Sequence, residues 1–320
     1  MTTFSEPFLR FQPVYQKRVW GGRALAERFD RTLPEPGSPY GESWELTARP
    51  EADSVVCGGS LAGQTLSQLW ADESLRRTLF GLDAPREERF PLLCKILDAR
   101  EKLSIQVHPP AAVAGELGGE PKTEMWYIAH AEPGAELYVG VKNGVTPGSF
   151  RAALAEGTVA DQVHAIPVTA GDHLFIPSGR LHAIGEGLLI FEIQQNSDTT
   201  YRVFDWNRLG MDGSPRELHV EESMRCIDFS DVEPAVDTAN GVILCGCDHF
   251  LIERHEIPRN ESLENAVGSR FAIITVVNGT VSCEGATFGE GDFFLVPAES
   301  DKESLHAGAN GASVLLTSWP

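Results

Sequence analysis

The sequence predicts a mainly β protein, two jelly-roll barrels with a few peripheral helices. Three observations predict it. From residue 90 or so onward, short runs rich in β-branched and aromatic residues dominate: PLLCKILDA, LSIQVHP, EMWYIAH, AELYVGV, HLFIPS, LLIFEIQ and TYRVFDW. Gly and Pro punctuate these runs at short intervals, which is the pattern of a barrel or sandwich rather than of alternating β and α units. Finally, VTAGDHLFIPSG at 168–179 resembles FGEGDFFLVPAE at 288–299. Asp172 and Asp292 are offset by 120 residues, and each follows a Gly and precedes an apolar strand ending in Pro. This repeat divides the chain into domains 1–235 and 236–320, with the polar, turn-rich SDVEPAVDTANG as the linker.

Helices are few. Residues 65–81, TLSQLWADESLRRTLFG, carry Leu66, Leu69, Trp70, Leu75 and Leu79 near a helical period and end at a Gly. TPGSFRAALAEG begins with Thr146 and Pro147, an N-cap and first-turn pair, and stops at Gly157. SPRELHVEESMRCI offers Ser214 and Glu217 as a capping box. All three are expected outside or at the end of a barrel.

The 320 residues, 42% apolar and 22% charged, suit a globular protein with a real core. A formal net charge of −20 argues against nucleic acid or an anionic membrane as partner, so an anionic substrate would need a local basic cluster inside a pocket. MTTFSEPFLRF lacks a basic segment followed by an apolar one, and no apolar run approaches a membrane span, so a cytoplasmic protein without a leader is expected. The six Cys include no C-x2-C pair, and free buried thiols in a reducing compartment are the expectation. Cys245 and Cys247 with His249 would make only an incomplete zinc site.

Four candidate metal ligands lie in three pieces. Gln106 and His108 are two apart in LSIQVHPP, so on a strand they share a face; Glu124 sits in PKTEMWY and His182 in GDHLFIPSGRLHAI. Such a set holds a divalent cation and leaves a coordination position for substrate. The spacing G-x5-P-x-G-x2-H, from Gly171 to His182, resembles the second metal motif of the cupin barrels. The second copy of the repeat has no His after its Pro at the matching distance, so its barrel is expected to be metal-free. Downstream, Glu192 and Arg202 are ten apart, an even offset that lets them share a strand face.

The chain resembles the type I mannose-6-phosphate isomerases of the cupin superfamily, in their short bacterial form. The matching stretches are VWGG at 19–22, GESWELT at 41–47, KILDAREKLSIQVHPP at 95–110, PKTEMWYI at 121–128, IPSGRLHAIGEG at 176–187 and FEIQQNSDTTYRVFDWNR at 191–208. The resemblance implies two cupin-type barrels and one zinc ion per chain, bound by Gln106, His108, Glu124 and His182, although some short members are described with only the His, Glu and His. It implies a catalytic Arg202, an active-site acid at Glu192, a substrate-handling Lys122, and phosphate contacts from Ser104 and Arg208. The implied reaction interconverts mannose 6-phosphate and fructose 6-phosphate through a cis-enediol, with proton transfer between C1 and C2. Glu192, Lys122 or a zinc-bound water would move the proton. The implied partner is a small-molecule sugar phosphate, and the implied assembly a monomer or homodimer. Two other classes stay open: an iron-dependent cupin oxygenase using the 2-His-1-carboxylate set, and a non-catalytic sugar-phosphate-binding cupin.

Overall fold

The computed structural model describes residues 7–264, 270–298 and 304–320. The leader test on MTTFSE and the metal-free expectation for residues 299–303 of the second repeat fall outside the described residues. In chain order the strands begin with β1 Val14–Gly22, β2 Tyr40–Leu46, the short pair β3 Ala48–Arg49 and β4 Ala52–Asp53, β5 Leu92–Ala99 and β6 Ile105–Val107. They continue with β7 Glu124–Ala131, β8 Glu136–Val141, β9 Val163–Pro167, β10 His173–Ile176, β11 His182–Ile184, β12 Leu188–Gln195 and β13 Tyr201–Phe204. A later set comprises β14 Ile243–Gly246, β15 Leu251–Ile257, β16 Ser262–Leu263, β17 Ala272–Cys283, β18 Ala286–Gly289, β19 Phe293–Val296 and β20 Leu305–Ser318.

These strands form three main antiparallel sheets. The first has six strands in the order β1-β2-β5-β12-β7-β10, and the second five in the order β13-β6-β11-β8-β9. The third runs β14-β15-β20-β17-β18, with β16 on β20 and β19 on β17. The six-stranded sheet is covered on both faces. Leu97, Trp126, Ile128 and Ile190 pack toward Leu137, Val139 and Ile184 of the five-stranded sheet. Cys94, Ile96, Tyr127, Phe191 and Ile193 pack in one cluster with Phe250, Ile252, Phe271, Phe293 and Leu315 of the third. Double coverage explains why LLCKILDA is buried at every position and is apolar except at Lys95 and Asp98. Trp70, Phe80 and Phe90 join the second cluster and meet Trp319 and Phe271 edge-on or tilted, at centroid distances of 5.6 to 6.5 Å.

The 120-residue repeat is a repeat of one turn. Asp172 accepts from the Thr169 N–H at 2.7 Å, and Asp292 from the Gly289 N–H at 2.8 Å. The next contacts also match: Gly171 N–H donates to Ile128 O and Gly291 N–H to Val276 O, while Ile128 N–H and Val276 N–H donate to the Asp172 and Asp292 carbonyls. Gly171 and Gly291 have φ of 96° and 81°, a region that side chains avoid.

Helix expectations are corrected in two places. Residues 65–81 are two helices, α2 Leu66–Ala71 and α3 Glu73–Phe80, after the short α1 Ala24–Phe29. Asp72 is extended, and its carboxylate caps Ser74 and Leu75, so a second N-cap interrupts the period. After α4 Ala111–Ala114, helix α5 Pro147–Glu156 has the expected Thr146 cap and left-handed Gly157. The Ser214–Glu217 capping box does not form. Helix α6 spans Val220–Cys226, and residues 209–215 make a tight hairpin because Arg216 is drawn to Asp205. Cys94, Cys226, Cys245 and Cys283 are buried, but Cys57 is exposed and Cys247 half-buried, against the expectation of burial. Among the described residues, no helix is long and apolar enough to cross a membrane.

Candidate metal centre and active site

Two cross-strand rows face one another between the first two sheets. On the five-stranded sheet, Gln106 is the register partner of both His182 and Arg202. On the six-stranded sheet, Lys95 pairs with Trp44 and Glu192, and Glu192 with Trp126. Period-two alternation points each row inward. His182 is brought to its row by the PSGRLH turn. Gly179 there has φ 95°, and its N–H donates to the His108 carbonyl at 2.9 Å, so the turn also fixes the neighbouring ligand strand.

His108, Glu124 and His182 are fully buried, and one ligand atom from each lies within 4.8 Å of the others. His108 Nδ1 donates to the Thr199 carbonyl at 2.8 Å, and His182 Nδ1 to the Arg180 carbonyl at 2.9 Å. A carbonyl only accepts, so in both neutral rings Nε2 carries the lone pair. Both Nε2 atoms stand 3.5 Å from Glu124 Oε1. Three acceptors therefore converge on one point, and His108 Nε2 and Glu124 Oε1 have no hydrogen-bond partner. Buried acceptors without donors are costly, and a cation between them satisfies all three. Burial and the adjacent His108 lower the His182 pKa to about 3; burial and Lys122 also lower that of His108. Burial pushes the Glu124 carboxyl up, but Lys122 and the imidazoles outweigh it and hold it well below the usual carboxylate range. The residues thus fit a divalent metal in the protonation states it requires. Gln106 sits beside them, with Nε2 3.3 Å from His182 Nε2 and Oε1 accepting from Ser104 Oγ.

A cavity of about 370 Å³ lies beside this group, lined by Gln106 and Lys122 but not by His108, Glu124 or His182 themselves. Its lining includes Ser104, Gln106, Lys122, Glu192 and Arg202, so the structure brings these sequence-predicted residues together. Lys122 Nζ is 2.8 Å from Glu124 Oε2 and 3.8 Å from Glu192 Oε1. Burial lowers the Lys122 pKa, but Glu124 and Glu192 outweigh it and raise it above the ordinary value. Burial raises the Glu192 pKa against the pull of Lys122. Trp126 Nε1 donates to Glu192 Oε2 at 3.1 Å. Arg202 donates to the Glu217 carbonyl through Nη1, while its buried Nε has no partner.

Arg208 is not in the cavity lining. Its Nε and Nη2 donate to Asp205 Oδ1, and its Nη1 to the Lys102 carbonyl. Sequence reasoning missed Lys17, Arg18, Glu42, Lys95, Asp198 and Arg216, all of which line the cavity. Lys95 lies 3.4 Å from Glu192, 3.9 Å from Glu42 and over the Trp44 ring. Burial pushes the Glu42 carboxyl up, but Lys95 and Arg18 overcome it and bring its pKa down to about 2. One signal was available for Lys95: a lone cation in the middle of an otherwise apolar strand has to face a partner.

A mainly β fold with a buried His–Glu–His group beside a cation-rich cavity defines a metal-site enzyme class acting on a small anionic molecule. Residues 8–120 match the model of the type I phosphomannose isomerase catalytic domain. The chain is 37% identical over 313 residues to the mannose-6-phosphate isomerase ManA of Bacillus subtilis strain 168, covering 93% of this chain and 94% of that protein. Its structure is similar to the crystal structure of the mannose 6-phosphate isomerase from Bacillus subtilis, with TM-score 0.85 and 31% identity over 98% of this chain and 99% of that one. A mannose 6-phosphate isomerase bound with zinc and yttrium shares the fold at TM-score 0.72 and 15% identity, over 98% of this chain and 100% of that one. The chain belongs to the type I mannose-6-phosphate isomerase family, a family of aldose–ketose isomerases.

Proposed function

We propose that the protein interconverts mannose 6-phosphate and fructose 6-phosphate through a cis-enediol, using one zinc ion per chain. The observation that carries this reading is the His108–Glu124–His182 group beside a cavity lined by six cations, Lys17, Arg18, Lys95, Lys122, Arg202 and Arg216, against three carboxylates, Glu42, Glu192 and Asp198. That excess of positive charge is the local basic cluster that a protein of net charge −20 needs in order to hold a dianion. An oxygenase or a purely sugar-binding protein is not favoured, given the family of the chain.

Imidazole nitrogens and a carboxylate oxygen suit zinc and leave a position open. Gln106 would complete the set by turning its amide oxygen toward His182. A cation bound there would supply Lewis-acid polarisation of the sugar's O1 or O2. The residues of the chain do the rest. Glu192 takes the proton from C2 and returns it to C1, a role supported by its place in the cavity lining and by a buried Oε1 that accepts no hydrogen bond. Burial makes it a stronger base than a surface carboxylate. Lys122, held protonated by two carboxylates, orients Glu124 and Glu192 rather than acting as base. Arg202 places permanent positive charge where the enediolate develops, and its unpartnered Nε is available to an oxygen there. Ser104 and the cationic wall receive the phosphate.

Residues 236–320 serve as a metal-free second unit that covers the outer apolar face of the six-stranded sheet, a role supported by the shared cluster. The test of the whole reading is a coupled assay for fructose 6-phosphate formed from mannose 6-phosphate, before and after chelation. Loss on chelation and recovery with zinc are expected. Full turnover by metal-free protein would overturn it.

A further inference from the structure

Asp205 is shared by two arginines that differ in what they have left to offer. Arg208 uses all three of its nitrogens on the protein: Nε and Nη2 on Asp205 Oδ1, and Nη1 on the Lys102 carbonyl. Arg216 grips the same carboxylate with one edge only, Nε to Oδ2 at 2.6 Å and Nη2 to Oδ1 at 2.5 Å. Its Nη1 has no hydrogen-bond partner among the described residues, and Arg216 lines the cavity where Arg208 does not. One carboxylate thus faces two guanidinium groups. Burial pushes the Asp205 carboxyl up, but the hydrogen bonds from Arg216 and Arg208 overcome it and hold it ionised. The exposed Glu101 carboxylate stands 3.9 Å from Arg208 Nη1, so the second carboxylate near the pair lies on the Arg208 side, and Arg216 faces the cavity next to Arg202, which has no carboxylate partner among the described residues.

The chain between them is built to deliver Arg216. Trp206 and Asn207 both have φ of 56°, a left-handed conformation that a tryptophan rarely adopts. The Trp206 indole N–H donates to the Leu103 carbonyl at 2.7 Å, which holds the reversal in place. Residues 209–215 then close a hairpin, with Gly210 N–H on the Ser214 carbonyl at 2.7 Å and Asp212 capping Ser214. The hairpin carries the exposed Leu209 and Met211, and Gly210 and Met211 line the cavity. Beyond it, the Glu217 carbonyl accepts from Arg202, and the His219 N–H donates to the Arg202 carbonyl, so the far end of the strap is tied to β13.

We infer that Arg216, mounted on the 207–219 strap and aimed by Asp205, is the guanidinium that binds the substrate's phosphate and so selects phosphorylated over unphosphorylated sugars, while Arg208 only braces Asp205 from behind. The inference rests on the sugar-phosphate reading above. A guanidinium held on one edge by a carboxylate presents its remaining N–H groups in a fixed plane, the geometry that favours two-point recognition of a phosphate. Gly210, Met211 and Arg216 of the strap all line the cavity, whereas His108, Glu124 and His182 do not, so this contact is distinct from the metal group and open to the C6 substituent when C1 and C2 are at the metal.

Two measurements test it. The first is calorimetric titration of the metal-loaded protein with inorganic phosphate, which needs no turnover. Arg216→Gln is expected to weaken phosphate at least tenfold, Arg216→Lys less, and Arg208→Gln less than either. The second is steady-state kinetics. Arg216→Gln is expected to raise KM for mannose 6-phosphate at least tenfold with kcat changed less than threefold, and to lower the ratio of kcat/KM for mannose 6-phosphate to that for mannose by a similar factor. Arg216→Lys keeps the ion pair with Asp205 and covers the case in which the Gln variant fails to fold. Wild-type phosphate affinity in both Arg216 variants, or a larger loss in Arg208→Gln, overturns the inference. Should the protein bind phosphate through Arg216 but turn over no mannose 6-phosphate, the isomerase reading fails and the Arg216 assignment stands.

Discussion

The Trp126 indole stands edge-on to the His182 imidazole, ring centroids 5.3 Å apart, and its Nε1 donates to Glu192 at 3.1 Å. One side chain of the six-stranded sheet therefore touches a metal-ligand candidate on the opposite sheet and the proposed base on its own. The spacing between the two is set by packing, which a rigid core transmits without slack.

The His–Glu–His group is expected to bind one divalent ion. His182→Ala should lose at least nine-tenths of the wild-type metal content by elemental analysis after dialysis that leaves the wild type loaded. Chelation should also lower the melting temperature, because a ligand bound only to the folded state stabilises it. An unchanged melting temperature on metal removal would count against a site built from His108, Glu124 and His182.

Arg202→Lys keeps a positive charge but loses the planar fork. Removing one preorganised donor to a developing oxyanion costs about 10² to 10³ in kcat. Steady-state kinetics should show kcat falling by more than KM rises. A normal kcat with a greatly raised KM would reassign Arg202 to phosphate binding.

Glu192→Gln keeps the shape and the Trp126 contact but cannot take a proton. Loss of a general base lowers the rate by about 10² to 10⁴. Exchange of the substrate's C2 hydrogen with solvent should slow in step with kcat. Exchange at the wild-type rate would point to another base.

Asp98 gives a pH dependence of stability whose sign can be worked out. It is buried, and burial raises its pKa to about 6 although the Ala24 and Leu25 N–H groups pull it down. The folded state thus binds this proton more tightly than the unfolded state, where the ordinary value is 3.8. Above pH 6 the ionised group costs stability; the cost fades as pH falls through 6 and is gone below 3.8. Urea midpoints of wild type minus Asp98→Asn, taken from pH 7.5 to 4.5, should rise toward acid. A flat difference would show that Asp98 titrates normally.

Trp319→Ala removes a ring from the cluster that joins the third sheet to the helical face. Truncating a buried tryptophan costs about 3–5 kcal/mol. Equilibrium unfolding should show that loss in a single transition. Two separate transitions would show that residues 236–320 unfold alone.

Much of this architecture is legible in the amino acids. Between Leu92 and Phe204, β5, β6, β7, β8, β10, β12 and β13 were readable as strands, helped in β5, β7, β10 and β12 by the covering of both faces of their sheet, while the short β9 and β11 were not. Strands β1 and β2 were not. VYQKRVWGG and YGESWEL carry Lys17, Arg18 and Glu42, which resemble surface residues in sequence but point into a polar cavity. The metal group was legible because its ligands lie in short motifs fixed by turn glycines. Arg208 and Arg216 were not separable, since both lie in polar turns and only the shared Asp205 decides which one reaches the cavity. The Ser214 capping box failed for the same reason: a local helix signal lost to an ion pair made eleven residues away.

The cluster that seats Trp319 against Phe80 spans 239 residues of chain. At about 5–20 residues per second of synthesis, Phe80 leaves the ribosome roughly 12–48 s before Trp319 exists. Through that interval Trp70, Phe80 and Phe90 lack their final cover, and the nascent chain offers a sticky aromatic surface to chaperones or to its neighbours on a polysome. Codon changes that slow translation between the two would lengthen this exposure and lower the yield of folded protein without altering a single native contact.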